Sequence, residues 1–170
     1  RERLQKGERL TILLLGDSIA NDMGNAQPHL LIQRLYAGAV VRLVRSIRSA
    51  TGAWFYQNHV EEWIAPHKPD LVIVAGISHR GDFRAVRNLI ERTHQACGPA
   101  VEFLVLTGAI ADPGMLYPPR AELPKEVTPE MRRAGREWEA AYFARLKGME
   151  EALSFATFDL RTAWEEYLEQ

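Results

Sequence analysis

The chain has 170 residues, and its hydrophobic content of 46% is enough for one globular domain with a sizeable core. Because 21 Lys and Arg residues nearly balance 22 Asp and Glu residues, the charge gives no electrostatic case for nucleic acid or an anionic membrane as a partner. No apolar run reaches the roughly 18 residues typical of a membrane span, so we expect a soluble chain, with its compartment (cytoplasmic or secreted) and oligomeric state open.

Short apolar runs alternate with helical patterns along the chain. Three nearly continuous apolar runs are typical of strands buried on both faces of a parallel sheet, and they lie at residues 11–15, 71–75 and 101–107. Residues 40–46 alternate between apolar and charged side chains, which favours an edge strand. Residues 155–159 are the last strand candidate.

Helical patterns fill the intervals between these strands. They lie at residues 28–36, at residues 58–64, at residues 83–97 after an Asp82 cap, from Pro129 onward, and from Arg161. Alternation of strand and helix predicts a three-layer α/β/α sandwich on a five-stranded parallel sheet with a flavodoxin-like strand order.

Two further expectations concern packing. Trp138 and Tyr142 stand at helical spacing and are predicted to belong to the core. Cys97, the single cysteine, cannot form an internal disulfide and is predicted to be a buried packing thiol.

Polar residues and glycines follow three of the predicted strands. Gly16-Asp17-Ser18 follows the first strand, a Ser-Ala-Thr-Gly stretch ending at Gly52 follows the second, and Gly76-Ile77-Ser78-His79 follows the third. In a parallel sheet, ligands and catalytic groups gather at the carboxyl ends of strands. A turn there can present a hydroxyl and direct backbone N–H groups at developing negative charge, although Gly, Asp and Ser also favour such turns without any catalytic role.

These motifs resemble the SGNH (GDSL-type) hydrolase family. The chain has GDSI after a hydrophobic strand, a glycine in the loop after the second strand, and KPDLVIVAG at the third strand, where the family continues with a G-x-N-D block. The resemblance covers residues 9–82 by motif and the rest of the chain by the order of its elements.

The resemblance implies roles for individual residues. Ser18 would be the nucleophile, and the N–H groups of Ser18 and Gly52 would be oxyanion donors. Ser78 stands where the family has asparagine, so it would serve as the third donor through its hydroxyl. His79 replaces the family's aspartate and lies on the same rim, where it could contact substrate or act as the base. Asp17 is expected to fix the turn.

The base is expected elsewhere. The family's general base and its orienting carboxylate come from a C-terminal D-x-x-H block, and this chain has Asp159 followed by Leu160, Arg161 and Thr162. We therefore expect a single SGNH-like domain over residues 1–170 whose catalytic Asp and His belong to a downstream segment.

The resemblance implies a serine esterase that acts on a small acyl ester of the acetyl type, on a carbohydrate or similar small molecule, without metal or cofactor. No zinc-ligand spacing, dinucleotide-binding motif or P-loop motif occurs in the sequence. The long irregular segment at residues 108–127, with Met115, Leu116 and Tyr117, is expected to form one wall of the substrate pocket. Two alternatives stay open: a non-catalytic binding module on the same fold, and an O-acyltransferase.

Overall fold

A computed structural model describes residues 2–75, 82–107, 128–160, 162–163 and 167. The strands are β1 Arg9–Gly16, β2 Val40–Ile47, β3 Leu71–Ala75, β4 Glu102–Leu106 and β5 Phe155–Phe158. The helices are α1 Glu2–Gln5, α2 Ser18–Asn25, α3 Pro28–Leu35, α4 Ala53–Tyr56, α5 Val60–Trp63, α6 Phe83–Cys97, α7 Pro129–Lys147 and α8 Glu150–Leu153, with a 3-10 turn at Ala65–His67.

The five strands form one parallel sheet in the order β2-β1-β3-β4-β5. The order confirms the flavodoxin-like prediction, including β2 as an edge strand, and each strand lies within one or two residues of its predicted bounds. Gly16, the last residue of β1, pairs with Ile47 of β2 and with Ala75 of β3. The carboxyl ends of these three strands therefore meet around Gly16.

The sheet is covered by helices on both faces. Leu13 and Leu15 of β1 belong to a buried cluster with residues of α4 to α8, whereas Ile12 and Leu14 belong to a second cluster with residues of α1 to α3. Successive side chains of a strand point to opposite faces, so an uninterrupted apolar run is what two covered faces require. The predicted three-layer sandwich is confirmed.

Some helix predictions need correction. The helix predicted at residues 28–36 is present as α3, but α2, which begins at Ser18 directly after β1, was not predicted. In place of one helix at residues 58–64, the structure has two short helices, α4 and α5, and α4 starts as early as Ala53.

The predicted burial of Tyr142 is confirmed, and that of Trp138 is wrong. Tyr142 is buried as expected, but Trp138 is 40% exposed and stacks on the Tyr142 ring, so its assignment to the core is wrong. In α7 the buried stripe runs through Tyr142 and Leu146, and Trp138 lies one turn before it. Cys97 is half-buried against the core, and burial raises the pKa of its thiol.

Among the helices that the structure describes, none is both long and apolar enough to cross a bilayer. The final predicted helix begins at Arg161, which lies outside the described residues together with most of the positions after it.

Candidate active site

Ser18 occupies the first position of α2, directly beyond the carboxyl end of β1, and its side chain is exposed. The preceding Asp17 is only 1% exposed. Its carboxylate accepts a hydrogen bond from the Ile19 N–H at 3.0 Å and so caps the helix. The cap orients one side chain inward and leaves the next one, Ser18, at the surface, in agreement with a turn-fixing role for Asp17.

Glycine is required at position 16 because of a close backbone approach. Gly16 has φ +149°, and a Cβ there would lie 1.8 Å from the Ala75 carbonyl oxygen and 2.7 Å from the Ala20 Cβ. Any side chain would push β1 away from β3 or α2 away from the sheet. The glycine of the motif therefore allows α2 to begin close against the sheet edge.

A buried tyrosine holds the same turn from the side of α4. The Tyr56 hydroxyl lies 3.0 Å from the Gly16 carbonyl oxygen and 2.7 Å from the Ser46 carbonyl oxygen, and it accepts a longer hydrogen bond from the Gly16 N–H at 3.4 Å. The Arg48 N–H donates to the same Gly16 carbonyl at 3.0 Å. The ends of β1 and β2 are thus joined through one side chain.

Sequence reasoning missed Tyr56. Its contact with Gly16 spans 40 residues, and no short motif contains both. The one available signal was a phenol in an otherwise apolar stretch, since a buried tyrosine needs a partner for its hydroxyl. Burial raises the pKa of Tyr56 to about 12.

Gly52 lies at the start of α4, beyond the carboxyl end of β2, and is buried. Its carbonyl accepts a hydrogen bond from the Phe55 N–H at 3.0 Å, whereas no described residue accepts one from the Gly52 N–H. The preceding Thr51 is 1% exposed, and its hydroxyl donates to the Ser49 carbonyl at 2.9 Å. The loop that carries Gly52 is thus held by its own hydrogen bonds.

A second polar cluster lies at the carboxyl ends of β4 and β5. The buried Thr107 donates its hydroxyl to the Asp159 carboxylate at 3.1 Å and accepts from the Leu160 N–H at 3.1 Å. Asp159 also accepts from the N–H of Thr162 at 3.2 Å and from its hydroxyl at 2.8 Å. Asp159 therefore caps the turn that follows β5.

Two of the histidines have structural partners. The His59 ring lies 2.8 Å from the Phe55 carbonyl oxygen and stacks on the Phe55 ring, and the His94 ring lies 2.8 Å from the Val101 carbonyl oxygen. No described residue forms a hydrogen bond with the Ser18 hydroxyl, so neither histidine is in place as its base.

The remaining predicted site residues, Ser78 and His79, lie outside the described residues, as do Met115, Leu116 and Tyr117 of the expected pocket wall. Within the described part of the chain, no group of three or more His, Cys, Asp or Glu side chains is arranged to hold a metal ion.

Neither a protein-family model nor a curated protein matches the chain, but solved structures do. An acetylxylan esterase from Geobacillus stearothermophilus matches at 17% identity and a TM-score of 0.65, over 95% of this chain and 80% of that chain. Catalytic mutants of that enzyme replace a serine, an aspartate or a histidine by alanine. A two-domain esterase active on acetylated mannans matches at 14% identity and a TM-score of 0.55, over 86% of this chain and 51% of that chain.

At such low identities the likeness concerns the fold alone. The chain therefore shares its fold with these two esterases, in agreement with the fold that the motif resemblance implies.

Proposed function

We propose that this chain is the nucleophile-bearing part of a serine esterase that hydrolyses a small acyl ester of the acetyl type on a carbohydrate. The observation that carries the proposal is the exposed Ser18 hydroxyl at the first position of α2, presented by the buried Asp17 cap at the carboxyl edge of the sheet. The fold shared with an acetylxylan esterase and an esterase active on acetylated mannans supports this reaction and this class of substrate.

In the first step, Ser18 Oγ attacks the ester carbonyl carbon and the carbonyl π electrons move onto its oxygen. The N–H groups of Ser18 and Gly52 are the proposed donors to that oxyanion, with the Ser78 hydroxyl as a third. Asp17 already engages the Ile19 N–H, whereas no described residue accepts a hydrogen bond from the Ser18 N–H. Loss of one such donor typically costs about 100-fold to 1,000-fold in kcat.

The N-terminus of α2 adds to this stabilisation. Its unpaired backbone N–H groups carry partial positive charge, which favours an anion forming beside them. Ser18 is the first residue of this eight-residue helix, so the oxyanion would form at its positive end. Ser18 would thus supply both the attacking hydroxyl and, through its own N–H, one of the proposed oxyanion donors.

A base must take the Ser18 proton and then give it to the sugar oxygen as the ester C–O bond breaks, which leaves acyl-Ser18 and a free sugar hydroxyl. We propose that an Asp-x-x-His segment downstream of residue 170 supplies it, because Asp159 is engaged by Thr107 and Thr162 as a cap. In the acetylxylan esterase, the catalytic mutants include an aspartate and a histidine three positions apart. His79 is the other candidate, as a substrate contact or as the base.

The second step hydrolyses acyl-Ser18 and regenerates the free enzyme. The base takes a proton from water, the hydroxide oxygen attacks the acyl-Ser18 carbonyl at the same donors, and the Ser18 Oγ leaves with the proton from the base. The products are the free sugar hydroxyl and the carboxylic acid, which is acetate at neutral pH. No redox step or cofactor enters this balance.

The test is acetate release from acetylated xylooligosaccharides by the full-length protein that contains this chain. Ser18→Ala should abolish release, and Ser154→Ala, an exposed serine at the opposite edge of the sheet, should leave it unchanged. Wild-type activity that survives in Ser18→Ala would overturn the proposal. A full-length sequence without any downstream histidine would overturn the proposed Asp-x-x-His segment.

The same assay separates the alternatives. A binding module would bind acetylated oligosaccharide equally well as wild type and as Ser18→Ala, without release of acetate. An O-acyltransferase would release little acetate into water and would instead move the acyl group onto an added unacetylated sugar.

A further inference from the structure

The hydroxyl of Tyr56 is the point where three elements of the proposed site meet. Tyr56 is the last residue of α4. Its hydroxyl lies 3.0 Å from the carbonyl oxygen of Gly16, at the end of β1, and 2.7 Å from the carbonyl oxygen of Ser46 in β2. Gly16 stands two residues before Ser18. A movement of the phenol oxygen would therefore act directly on the turn that carries the nucleophile.

The same tyrosine belongs to the turn that begins at Gly52. The Gly52 carbonyl accepts hydrogen bonds from the Phe55 N–H at 3.0 Å and from the Tyr56 N–H at 3.5 Å, so Gly52 and the Tyr56 backbone are parts of one helical turn. The orientation of the Gly52 N–H and the position of the Tyr56 ring are consequently set together. Through its hydroxyl, Tyr56 fixes this turn against the end of β1.

Packing leaves the ring little freedom to adjust. Tyr56 is 0% exposed and makes edge contacts with the rings of Phe55 at 5.3 Å and Trp63 at 6.0 Å. Burial raises the pKa of the phenol to about 12, so the hydroxyl keeps its proton and remains a donor throughout the neutral range. The phenol is therefore protonated near neutral pH and available for these hydrogen bonds.

We propose that Tyr56 is a positioning residue of the esterase reaction, which holds the Ser18 turn and the Gly52 N–H at the spacing that lets both N–H groups reach one oxyanion. The inference rests on the proposed function for its catalytic consequence. Its structural part, the coupling of two strand ends to α4 through one hydroxyl, does not depend on that function.

The decisive substitution is Tyr56→Phe, which keeps the ring and removes only the hydroxyl. Tyr36→Phe is the matched control, because Tyr36 lies at the end of α3, toward the amino end of β2, and no described residue forms a hydrogen bond with its hydroxyl. Both variants are made in the full-length protein and assayed on acetylated xylooligosaccharides below their unfolding transitions.

We expect Tyr56→Phe to lower kcat by about 10-fold to 100-fold, since small misplacements of reacting groups have effects of that size. KM should stay within about twofold, because the lost interaction acts in the transition state and not on bound substrate. The control should retain wild-type kcat. An unchanged kcat, or a loss carried by KM, would overturn the catalytic part of the inference.

Amide hydrogen exchange of wild type, Tyr56→Phe and Tyr36→Phe tests the structural part without any turnover. Tyr56→Phe should accelerate exchange of the Gly16 and Arg48 N–H groups, which bond to the Tyr56 hydroxyl and to the Gly16 carbonyl, while amides in β4 keep their wild-type rates. Unchanged exchange at these two amides would overturn the inference. If the wild type releases no acetate, the proposed function fails, and exchange alone then decides whether Tyr56 holds the turn.

Discussion

Replacing Gly16 with alanine should destabilise the protein far more than most surface substitutions. The new Cβ would lie 1.8 Å from the Ala75 carbonyl oxygen and 2.7 Å from the Ala20 Cβ, so β1, β3 or α2 must move. Forcing atoms into a packed site costs about 1–3 kcal/mol. A non-glycine residue in a sparsely populated region such as φ +149° costs about 1–3 kcal/mol more. The expected loss in the free energy of unfolding is their sum, about 2–6 kcal/mol.

Urea unfolding followed by circular dichroism measures this loss, with Gly38→Ala as the control. Gly38 also has a positive φ, +87°, but a Cβ there would meet nothing within 4 Å. The control therefore reports the backbone cost alone, about 1–2 kcal/mol. Equal losses in the two variants would refute the reasoning that close contact with Ala75 and Ala20 is what requires glycine in the motif.

Three further predictions concern residues around the site. Asp17→Ala removes the cap on α2 and should lower the unfolding free energy by about 0.5–2 kcal/mol in urea, and an unchanged midpoint would mean that its bond to the Ile19 N–H contributes nothing. Thr107→Val removes a buried hydroxyl that donates to the Asp159 carboxylate and accepts from the Leu160 N–H. It should cost about 1–3 kcal/mol, measured by thermal unfolding, and a wild-type melting temperature would count against this. The pKa of Tyr56 is raised from 10.0 to about 12 in the folded state. The protonated phenol therefore makes its full contribution to the free energy of unfolding below the unfolded-state pKa, and this contribution declines as the pH rises toward the folded-state pKa. From about pH 9 to about pH 11, wild type should lose about 1 kcal/mol more unfolding free energy than Tyr56→Phe, and parallel losses would contradict the raised pKa.

The architecture could be predicted because its determinants are local and repeated. The run at residues 11–15 is apolar at every position except Thr11, and the structure places Ile12 and Leu14 on one face and Leu13 and Leu15 on the other. Strands separated by helices leave few ways to form a sheet, since crossovers are right-handed and parallel strands must be covered on both sides. The strand order was predicted from those constraints.

The start of α2 could not be predicted from periodicity. Residues 18–25 hold Asn, Asp, Gly and an early Ser among few apolar positions, so their helical pattern is weak. The structure shows that the Asp17 cap starts this helix. A cap and a turn use the same residue types, and a single sequence does not distinguish them.

The Tyr56 contacts depend on tertiary structure alone. The phenol meets Gly16 and Ser46 only because parallel pairing brings the ends of β1 and β2 together and α4 folds back beneath them. Trp138 illustrates the opposite case, because helical spacing placed it on the correct stripe while its exposure depends on what packs over that turn. Spacing predicts which residues share a face, and only the assembled fold determines which of them are covered.

The central claim is that Ser18 is an activated nucleophile, and the most direct test is the intact mass of the full-length protein before and after treatment with a fluorophosphonate. The proposed function predicts one adduct per chain that maps to Ser18 and disappears in Ser18→Ala. No adduct on a chain that contains the downstream histidine, or an adduct that persists in Ser18→Ala, would contradict it.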